Sequence, residues 1–351
     1  MIPGQNSLLI LIPGFPKDEN DSTCLPFPQA FVRNMHRRYP ELKLRVMAFQ
    51  YPFFAGSYNW NGIQVEAFNG RNRGNIQRLF LWKRIWKRMN ALCKVERPSG
   101  ILNFWLGETA LLAKKLSEKY SIPYYTWMMG QDALSGNRYM RLVKPRADTL
   151  IAVSDFNADM FSKHYGFRPA LTIPPGIDAT LFKTGKSDRD IDLLGAGSLI
   201  ILKQFQVFVE CVARLVVKRP HLKAILCGSG PEREHIEALI RKLGIEKNII
   251  LSGEIAHSEV LSLMQRTKVF LHPSKYEGFS TVCAEALFAG AGVISFVRPM
   301  KADFKHWQIA ETEQEMTELA SAFLNDPALD HHPVLTYPMD ETCDRILSLY
   351  I

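Results

Sequence analysis

The chain has 351 residues, which at roughly 150 residues per domain predicts two domains. Its hydrophobic and charged fractions, 47% and 22%, are ordinary globular values and exclude a disordered or fibrous chain. The apolar runs are far shorter than the ~18 residues that cross a bilayer, and the first one lacks a basic flank, so we expect neither a membrane span nor a secretory signal. Six cysteines without a C-x-x-C pair are typical of reduced thiols, which predicts a cytoplasmic protein.

The net charge of +8 is unevenly distributed along the chain. Residues 1–170 contain 24 Lys and Arg against 12 Asp and Glu, whereas the remainder contains 19 against 23. The positive charge therefore lies in the first half, and we expect the two halves to meet different partners.

Short apolar runs alternate with helical patterns along both halves. In the first half we predict strands at 7–13, 42–49, 100–105, 123–128 and 148–154, with helices at 27–40 and 108–120. In the second half we predict strands at 191–197, 222–228, 248–253, 268–273 and 292–296, with helices at 204–218, 231–244, 258–267 and 280–290. This alternation indicates β-α-β units and a parallel sheet in each half, which is the α/β class.

A polar stretch at 184–190 predicts the join between the two domains. We therefore place an amino-terminal domain at 1–185 and a second domain at 186–335. Residues 336–351 have helical spacing and are expected to return to the first domain. Two such domains are expected to face each other across a cleft, with ligands bound at the carboxyl ends of the strands.

The segment 272–290 has the strongest functional pattern in the chain. A strand ends before a loop that contains Glu277, a helix begins near Ser280, and Glu285 lies on that helix. Ser280 or Thr281 is expected to cap the helix, and the exposed amides at its positive end suit a phosphate. Each carboxylate can accept hydrogen bonds from sugar hydroxyls. A phosphate together with diols describes a nucleotide sugar.

This segment, E-G-F-S-T-V-C-A-E, resembles the E-x7-E motif of the retaining glycosyltransferases of family four, which have the two-domain GT-B fold. The resemblance extends over about 148–296 and includes four further passages in the family's order. They are VSDFNADMFSKHYGF with TIPPGIDATLF, LLGAGSLIILKQF, LCGSGPE and LSGEIAHSEV. Five collinear matches are far more specific than two glutamates alone.

The resemblance implies a role for each matching residue. Glu285 is expected to hold the ribose hydroxyls, Glu277 to contact the donor sugar, and Lys203 to bind the diphosphate and offset charge on the leaving group. The other implied donor contacts are Gly14, Ser198, Gly228, Ile255, Gly278, Phe279, Ser280 and Thr281. With Glu277 and Lys203, Asp132 completes the predicted catalytic set.

The chain departs from the family pattern at two positions. Ser198 stands where the family usually has an arginine on the phosphates, and Met129 stands where it often has a histidine, although Gly130 and Asp132 are kept. These departures raise an alternative in which the protein binds nucleotide sugars with little turnover. A sugar-nucleotide epimerase of the same fold is a further alternative.

Other patterns are weaker. The overlapping D-x-D pairs at 188–192 have the composition of a metal site, but they lie where a strand begins. We therefore interpret them as solvent-exposed residues at the start of that strand. We predict no dedicated metal and no cofactor. In 71–94, basic residues lie opposite a face formed by Leu81, Trp82, Ile85, Trp86, Met89 and Leu92. That pattern is typical of an anionic membrane surface or of a helix packed on its own sheet. No nucleic-acid motif accompanies it.

The sequence therefore predicts a retaining, hexosyltransferase-like enzyme that moves a sugar from a nucleotide diphosphate-sugar to a hydroxyl acceptor. The expected acceptor is a glycan or a lipid-linked glycan of cell-envelope polysaccharide or lipopolysaccharide synthesis. If 71–94 meets a membrane, the enzyme is peripheral on its inner face.

Overall fold

A computed structural model of the chain describes residues 7–185 and 188–351, with Asn75 described by its backbone alone. The chain divides into two compact units. The first consists of Met1–Gly176 together with Met339–Ile351, and the second of Ile177–Pro338. The predicted class, two Rossmann-like α/β domains, is confirmed by the sheet of each unit.

The first unit is built on an eight-stranded sheet of order β3-β4-β2-β1-β5-β6-β7-β8. Every neighbouring pair is parallel except β3 and β4, which form an antiparallel hairpin. The strands are β1 Ser7–Gly14, β2 Lys43–Tyr51, β3 Ala55–Trp60, β4 Ile63–Phe68, β5 Gly100–Phe104, β6 Tyr124–Met128, β7 Leu150–Ala152 and β8 Leu171–Thr172.

Five helices of the first unit follow its strands: α1 Pro26–Arg38, α2 Asn75–Val95, α3 Glu108–Tyr120, α4 Tyr139–Val143 and α5 Asp155–Tyr165. The strands β1 and β5 are almost wholly apolar and buried, as expected for a parallel sheet covered on both faces. Their apolar side chains pack against α2 and α3 in one core cluster.

The second unit has a six-stranded sheet of order β11-β10-β9-β12-β13-β14, in which all pairs are parallel. Its strands are β9 Ile191–Ala196, β10 Ala224–Cys227, β11 Ile249–Gly253, β12 Thr267–His272, β13 Gly292–Ser295 and β14 Trp307–Ile309. Its helices are α6 Phe205–Val216, α7 Arg233–Leu243, α8 His257–Gln265, α9 Thr281–Phe288 and α10 Glu313–Asn325. The elements from β9 to β13 match the strands and helices predicted for the second half, whereas β14 and α10 were not predicted.

The last helix, α11 Met339–Leu347, packs on the first unit. Cys343 and Ile346 are buried, and Asp344 accepts a hydrogen bond from Arg38 of α1 at 2.7 Å. Arg345 donates to the carbonyl of Thr172 in β8 at 2.6 Å. The amphipathic helix predicted at the end of the chain thus packs its apolar side chains against the first unit.

The division between the units differs in position from the boundary predicted at 185/186. Lys186 and Ser187, beside that boundary, lie outside the described residues. The division falls at Gly176 and Ile177 because the following segment packs on the second unit. There the ring of Phe182 lies 4.8 Å from that of Phe288 in α9, and the carbonyl of Lys183 accepts a hydrogen bond from Gln265. The polar stretch at 184–190 is therefore not the point at which the chain passes from one unit to the other.

The amphipathic segment 71–94 forms α2, and its apolar face packs on its own sheet. Leu81, Ile85, Met89 and Leu92 are buried, and Trp82 and Trp86 are partly buried against the same cluster. The six residues predicted to share a face do so, but that face is not available to a membrane. Within residues 7–185 and 188–351, no helix combines the length and the apolarity required to cross a bilayer.

The two faces of α2 predict opposite results for two isoleucine-to-alanine substitutions. Ile85→Ala should lower the free energy of unfolding of the first unit by about 2–5 kcal/mol, because it leaves a cavity in the core. Ile76→Ala, on the exposed face, should change it by less than about 0.5 kcal/mol. Five of the six tryptophans lie in the first unit, so urea unfolding followed by tryptophan fluorescence measures this difference. Equal effects would contradict the orientation of α2.

Candidate functional site

The sheet of the second unit reverses its strand order between β9 and β12, which are neighbours although 70 residues of chain separate their ends. The crevice at the carboxyl ends of such a pair is where ligands of open α/β sheets bind. Lys203 follows β9 and Glu277 follows β12. The fold therefore brings together two of the three predicted catalytic residues.

Glu277 is the centre of this site. Its Oε1 atom accepts hydrogen bonds from Lys203 Nζ and from His272 Nε2, the latter at 2.8 Å. The Glu277 side chain is only 14% exposed. Burial by itself would raise its pKa, but the adjacent His272 and Lys203 outweigh that effect and lower the pKa to about 2. The carboxylate is therefore ionised at every physiological pH.

His272, the last residue of β12, was not assigned a role from the sequence. Its ring is buried; burial lowers its pKa, although the Glu277 carboxylate acts in the opposite direction, and its Nε2–H donates to Glu277. Among the described residues, its buried Nδ1 has no hydrogen-bond partner. Its position at the end of a buried strand beside the reversal point was the signal that sequence reasoning did not use.

The loop after β12 is fixed to the turn that contains Lys203. The backbone N–H of Lys275 donates to the carbonyl of Leu202 at 3.0 Å, and the hydroxyl of Ser274 donates to the carbonyl of Tyr276 at 3.0 Å. Residues 201–203 form one turn of 3-10 helix. These contacts hold Lys203 beside Glu277 before any ligand binds.

Helix α9 begins next to Glu277, but its predicted cap is wrong in detail. Ser280 occupies the N-cap position in the left-handed region, with φ 59°, and its hydroxyl donates to the sulfur of Cys283 at 3.0 Å. No side chain caps the helix. The amide of Cys283 donates to the Ser280 carbonyl at 3.0 Å, but the amides of Thr281 and Val282 precede any acceptor within the helix, so this end suits an anion.

Glu285 lies one and a half turns into α9, and its partner is a second histidine missed by the sequence analysis. His257 Nε2 is 2.9 Å from Glu285 Oε1, and both side chains are largely buried. His257 is the first residue of α8, directly after the loop that contains Ile255. Ile255 is half-buried and lies two residues before His257 in the chain.

Gly14, Gly278, Phe279 and Ser280 of the predicted donor set are buried, and two of them follow Glu277 directly. Gly278 is buried, and the Phe279 ring is packed inward with its centroid 5.9 Å from that of Tyr337. The side chain of Phe279 is therefore a core residue, which leaves its backbone for contact with a ligand.

Glycines bring the loops after β9 and β10 into backbone contact. A Cβ atom on Gly228 would lie 1.9 Å from the carbonyl oxygen of Gly197, and Gly228 has φ +139°. The amide of Gly197 donates to Cys227 at 3.0 Å and that of Leu199 to Ser229 at 2.9 Å. Packing alone thus requires glycine at 228. Ser198, between these contacts, is exposed.

The remaining two predicted residues belong to the first unit, at the carboxyl edge of its sheet. Gly14 is the last residue of β1, and a Cβ atom there would meet only ordinary contacts, the nearest at 3.5 Å from Tyr51. Local packing therefore does not require glycine at 14, in contrast to 228.

Asp132 connects two loops of the first unit through hydrogen bonds. Its Oδ2 accepts hydrogen bonds from the backbone amides of Leu106, after β5, and Met129, after β6, at 2.9 and 2.8 Å. Burial raises its pKa to about 7, although the two amides lower it. These contacts describe a residue that positions two loops at the carboxyl edge.

Two aspartates of the D-x-D pairs at 188–192 form ion pairs at the amino end of β9, whereas Lys203 follows its carboxyl end. Asp190 accepts from Arg266 Nε at 2.8 Å, and Asp192 accepts from Lys268 at 2.7 Å. In the part of the chain that the structure describes, no group of three or more His, Cys, Asp or Glu side chains is arranged to hold a metal ion.

Comparisons with known proteins agree with this architecture. Residues 177–332 match the family described as glycosyl transferases group 1. Among solved structures, Anabaena HepE in complex with UDP and glucose has a TM-score of 0.68 at 18% identity, covering 97% of this chain and 94% of that one. Sucrose-phosphate synthase from Thermosynechococcus elongatus has a TM-score of 0.71 at 15% identity, covering 98% and 95%.

Curated relatives match part of the chain. A 2-deoxystreptamine N-acetyl-D-glucosaminyltransferase from Niallia circulans is 32% identical over 126 residues, which are 34% of this chain and 32% of that protein. The gpi3 subunit of the phosphatidylinositol N-acetylglucosaminyltransferase of Schizosaccharomyces pombe is 28% identical over 126 residues, 35% of this chain and 28% of that protein. The chain thus matches about a third of the length of these relatives.

The two parallel sheets and the solved structures agree on the GT-B fold that the resemblance implied. The match to the glycosyl transferases group 1 family covers residues 177–332, which lie in the second unit.

The pKa of Glu277 predicts how its contribution to stability depends on pH. Its pKa is lower in the folded chain, about 2 against an ordinary 4.5, so its stabilising effect is complete above pH 4.5 and is lost as the pH falls towards 2. Glu277→Gln should reduce the free energy of unfolding at pH 7 by about 2–3 kcal/mol. Thermal unfolding from pH 7 to pH 3 should show the gap to wild type closing below pH 4.5.

Glu234→Gln, an exposed position on α7, is the matched control and should leave the unfolding curve unchanged at each pH. A gap between Glu277→Gln and wild type that stays constant down to pH 3 would contradict the ionised, paired carboxylate.

Proposed function

We propose that this protein is a retaining glycosyltransferase that moves a sugar from a nucleotide diphosphate-sugar to a hydroxyl acceptor. The observation that carries the proposal is the Lys203–Glu277–His272 cluster beside the uncapped start of α9, at the strand-order reversal of the second unit. A cation, free amides and an ionised carboxylate are the groups that a diphosphate-linked sugar requires. The family match of residues 177–332 and the UDP complex of HepE support the same donor class.

Lys203 exchanges partners in this proposal. In the structure it is paired with Glu277, and an incoming diphosphate at the start of α9 competes for its ammonium group. Release of Lys203 leaves the Glu277 carboxylate free to accept hydrogen bonds from the donor sugar. His272 stays bonded to Glu277 and keeps it oriented and ionised. Lys203 then stabilises the charge that develops on the leaving diphosphate.

Glu285 is proposed to hold the ribose of the donor. Its carboxylate accepts from two hydroxyl groups, and the contact with His257 fixes the direction from which the ribose approaches. The nucleoside lies along Gly228 and Ile255 in this proposal. Gly278, Phe279, Ser280 and Thr281 contribute backbone groups to the diphosphate and the sugar, and Ser198 lies near them.

The first unit is proposed to shape the acceptor site. Asp132 holds the loops after β5 and β6 at the carboxyl edge, and Gly14 leaves room for the diphosphate at the end of β1. The acceptor proposed is a glycan or a lipid-linked glycan of cell-envelope synthesis.

Retention of configuration follows if the leaving group assists the acceptor. The bond between the anomeric carbon and the β-phosphate oxygen breaks, and the acceptor oxygen forms its bond to the same face of that carbon. The acceptor proton passes to the departing phosphate oxygen. Neither a covalent nucleophile nor a dedicated metal ion enters this proposal, because Lys203 and the α9 amides serve the diphosphate.

Nucleotide binding tests the role of Glu285. Glu285→Ala should weaken the binding of UDP, GDP or ADP, whichever binds the wild type best, by roughly 10- to 100-fold, the effect of losing hydrogen bonds to a charged group. Isothermal titration calorimetry measures the affinity, and Glu234→Ala on α7 is the control. Unchanged affinity in Glu285→Ala would reject the site.

Stereochemistry tests the reaction without a known acceptor. Incubated with UDP-glucose, UDP-N-acetylglucosamine or GDP-mannose, the enzyme should slowly transfer the sugar to water. Proton NMR of the fresh product should show the anomeric configuration of the donor. Lys203→Ala should reduce this rate by roughly 10²- to 10³-fold. Release of the inverted anomer would reject retention.

A low-activity binding protein is the second candidate, and the exposed Ser198 favours it because a phosphate cation of the family is missing there. Tight nucleotide binding without sugar release in the NMR assay would favour this candidate. Conversion of the donor into an isomeric sugar nucleotide, without release of free diphosphate, would favour the epimerase.

A further inference from the structure

The outer face of α2 begins with a cluster of exposed apolar side chains. The apolar patch consists of five residues with large exposed fractions: Phe53 56%, Phe54 42%, Ile76 67%, Leu79 60% and Phe80 67%. The inner face of α2 is already buried against the sheet, so these residues contribute nothing to the core. Single exposed apolar residues are ordinary, but a group of large ones marks an interaction surface.

The apolar patch lies at the carboxyl edge of the first sheet. Phe53 and Phe54 follow the end of β2, and α2 begins after its neighbour β4. Arg71 connects the two segments: its Nη2 donates to the carbonyl of Phe53 at 2.9 Å, and its guanidinium lies 5.3 Å from the centre of the Phe53 ring. The same edge contains the end of β1 with Gly14.

Basic residues flank the apolar patch in the sequence, and no acidic residue lies among them. Residues 71–94 contain eight Lys and Arg and no Asp or Glu. Arg71 and Arg73 precede the helix and are exposed. On the helix, Lys83 and Lys87 continue the exposed stripe that starts with Ile76, Leu79 and Phe80 at helical spacing. The surface is therefore apolar at one end and cationic at the other.

We propose that the apolar patch and its cations bind the surface of an anionic lipid bilayer. Aromatic and aliphatic side chains enter the boundary between headgroups and acyl chains, while Lys and Arg remain at the anionic headgroups. Arg78 and Arg88 are paired with Glu108 and Glu66. The exposed Arg71, Arg73, Lys83 and Lys87 form no ion pair among the described residues. These four charges are what select this occupant over a second copy of the chain, because two such surfaces would repel each other. If the proposed function holds, the bilayer lies beside the acceptor unit, as a lipid-linked acceptor requires.

Vesicle flotation tests this proposal without donor or acceptor, and therefore independently of the proposed function. The purified full chain should float with vesicles of phosphatidylcholine containing about one-third phosphatidylglycerol, and at least about tenfold less with phosphatidylcholine alone. The triple variant Ile76→Ser, Leu79→Ser, Phe80→Ser should lose roughly tenfold or more in binding. Lys83→Glu with Lys87→Glu should lose a similar factor on the anionic vesicles only.

The matched control is Val217→Ser with Ile250→Ser and Leu335→Ser, three exposed apolar positions of the second unit, and it should bind like wild type. Circular dichroism checks that every variant is folded, which their exposure favours. The proposal is overturned if wild type fails to float or if the triple variant floats as well as wild type. A dimer in light scattering that the triple variant abolishes, without vesicle binding, would assign the patch to a second copy and also overturn it.

Discussion

The site of the second unit depends on one buried carboxylate between a cation and an imidazole. Removing a charge from water is costly, so Glu277 is tolerated at this depth only because Lys203 and His272 both face it. The three residues come from the turn after β9, the end of β12 and the loop beyond it. Their mutual contacts thus require that β9 and β12 be adjacent, which the strand order of the sheet provides.

Much of this arrangement is predictable from the sequence, and the remainder is not for identifiable reasons. The alternation of apolar runs predicts the strands of both sheets because buried parallel strands are continuously apolar. The E-x7-E spacing locates Glu277 and Glu285. The histidines that contact them, His272 and His257, are distant or unremarkable in sequence, and only the folded chain pairs them. The hairpin of β3 and β4 was missed although Asn61–Gly62, both with positive φ, is a favoured turn.

Two predictions show where pattern reasoning reaches its limit. The periodicity of 71–94 identifies the apolar face of α2, yet periodicity does not tell a membrane from the protein's own core. The structure shows that the predicted face is buried and that the exposed apolar residues are others, at the helix start. In the same way Gly14 and Gly228 look alike in sequence, but a side chain fits locally only at 14.

The return of α11 to the first unit makes the second unit an insertion in the chain of the first. The first unit is left at Gly176 and re-entered at Met339, and a Cβ atom on Gly176 would lie only 2.5 Å from the Cα of Met339. Gly176 and Met339, the residues that flank the second unit in the chain, are adjacent in the first unit. If residues 177–338 were deleted, one short linker could therefore join Gly176 to Met339. Each half of this protein is thus open to separate production, recombination with relatives and isotope labelling by segment.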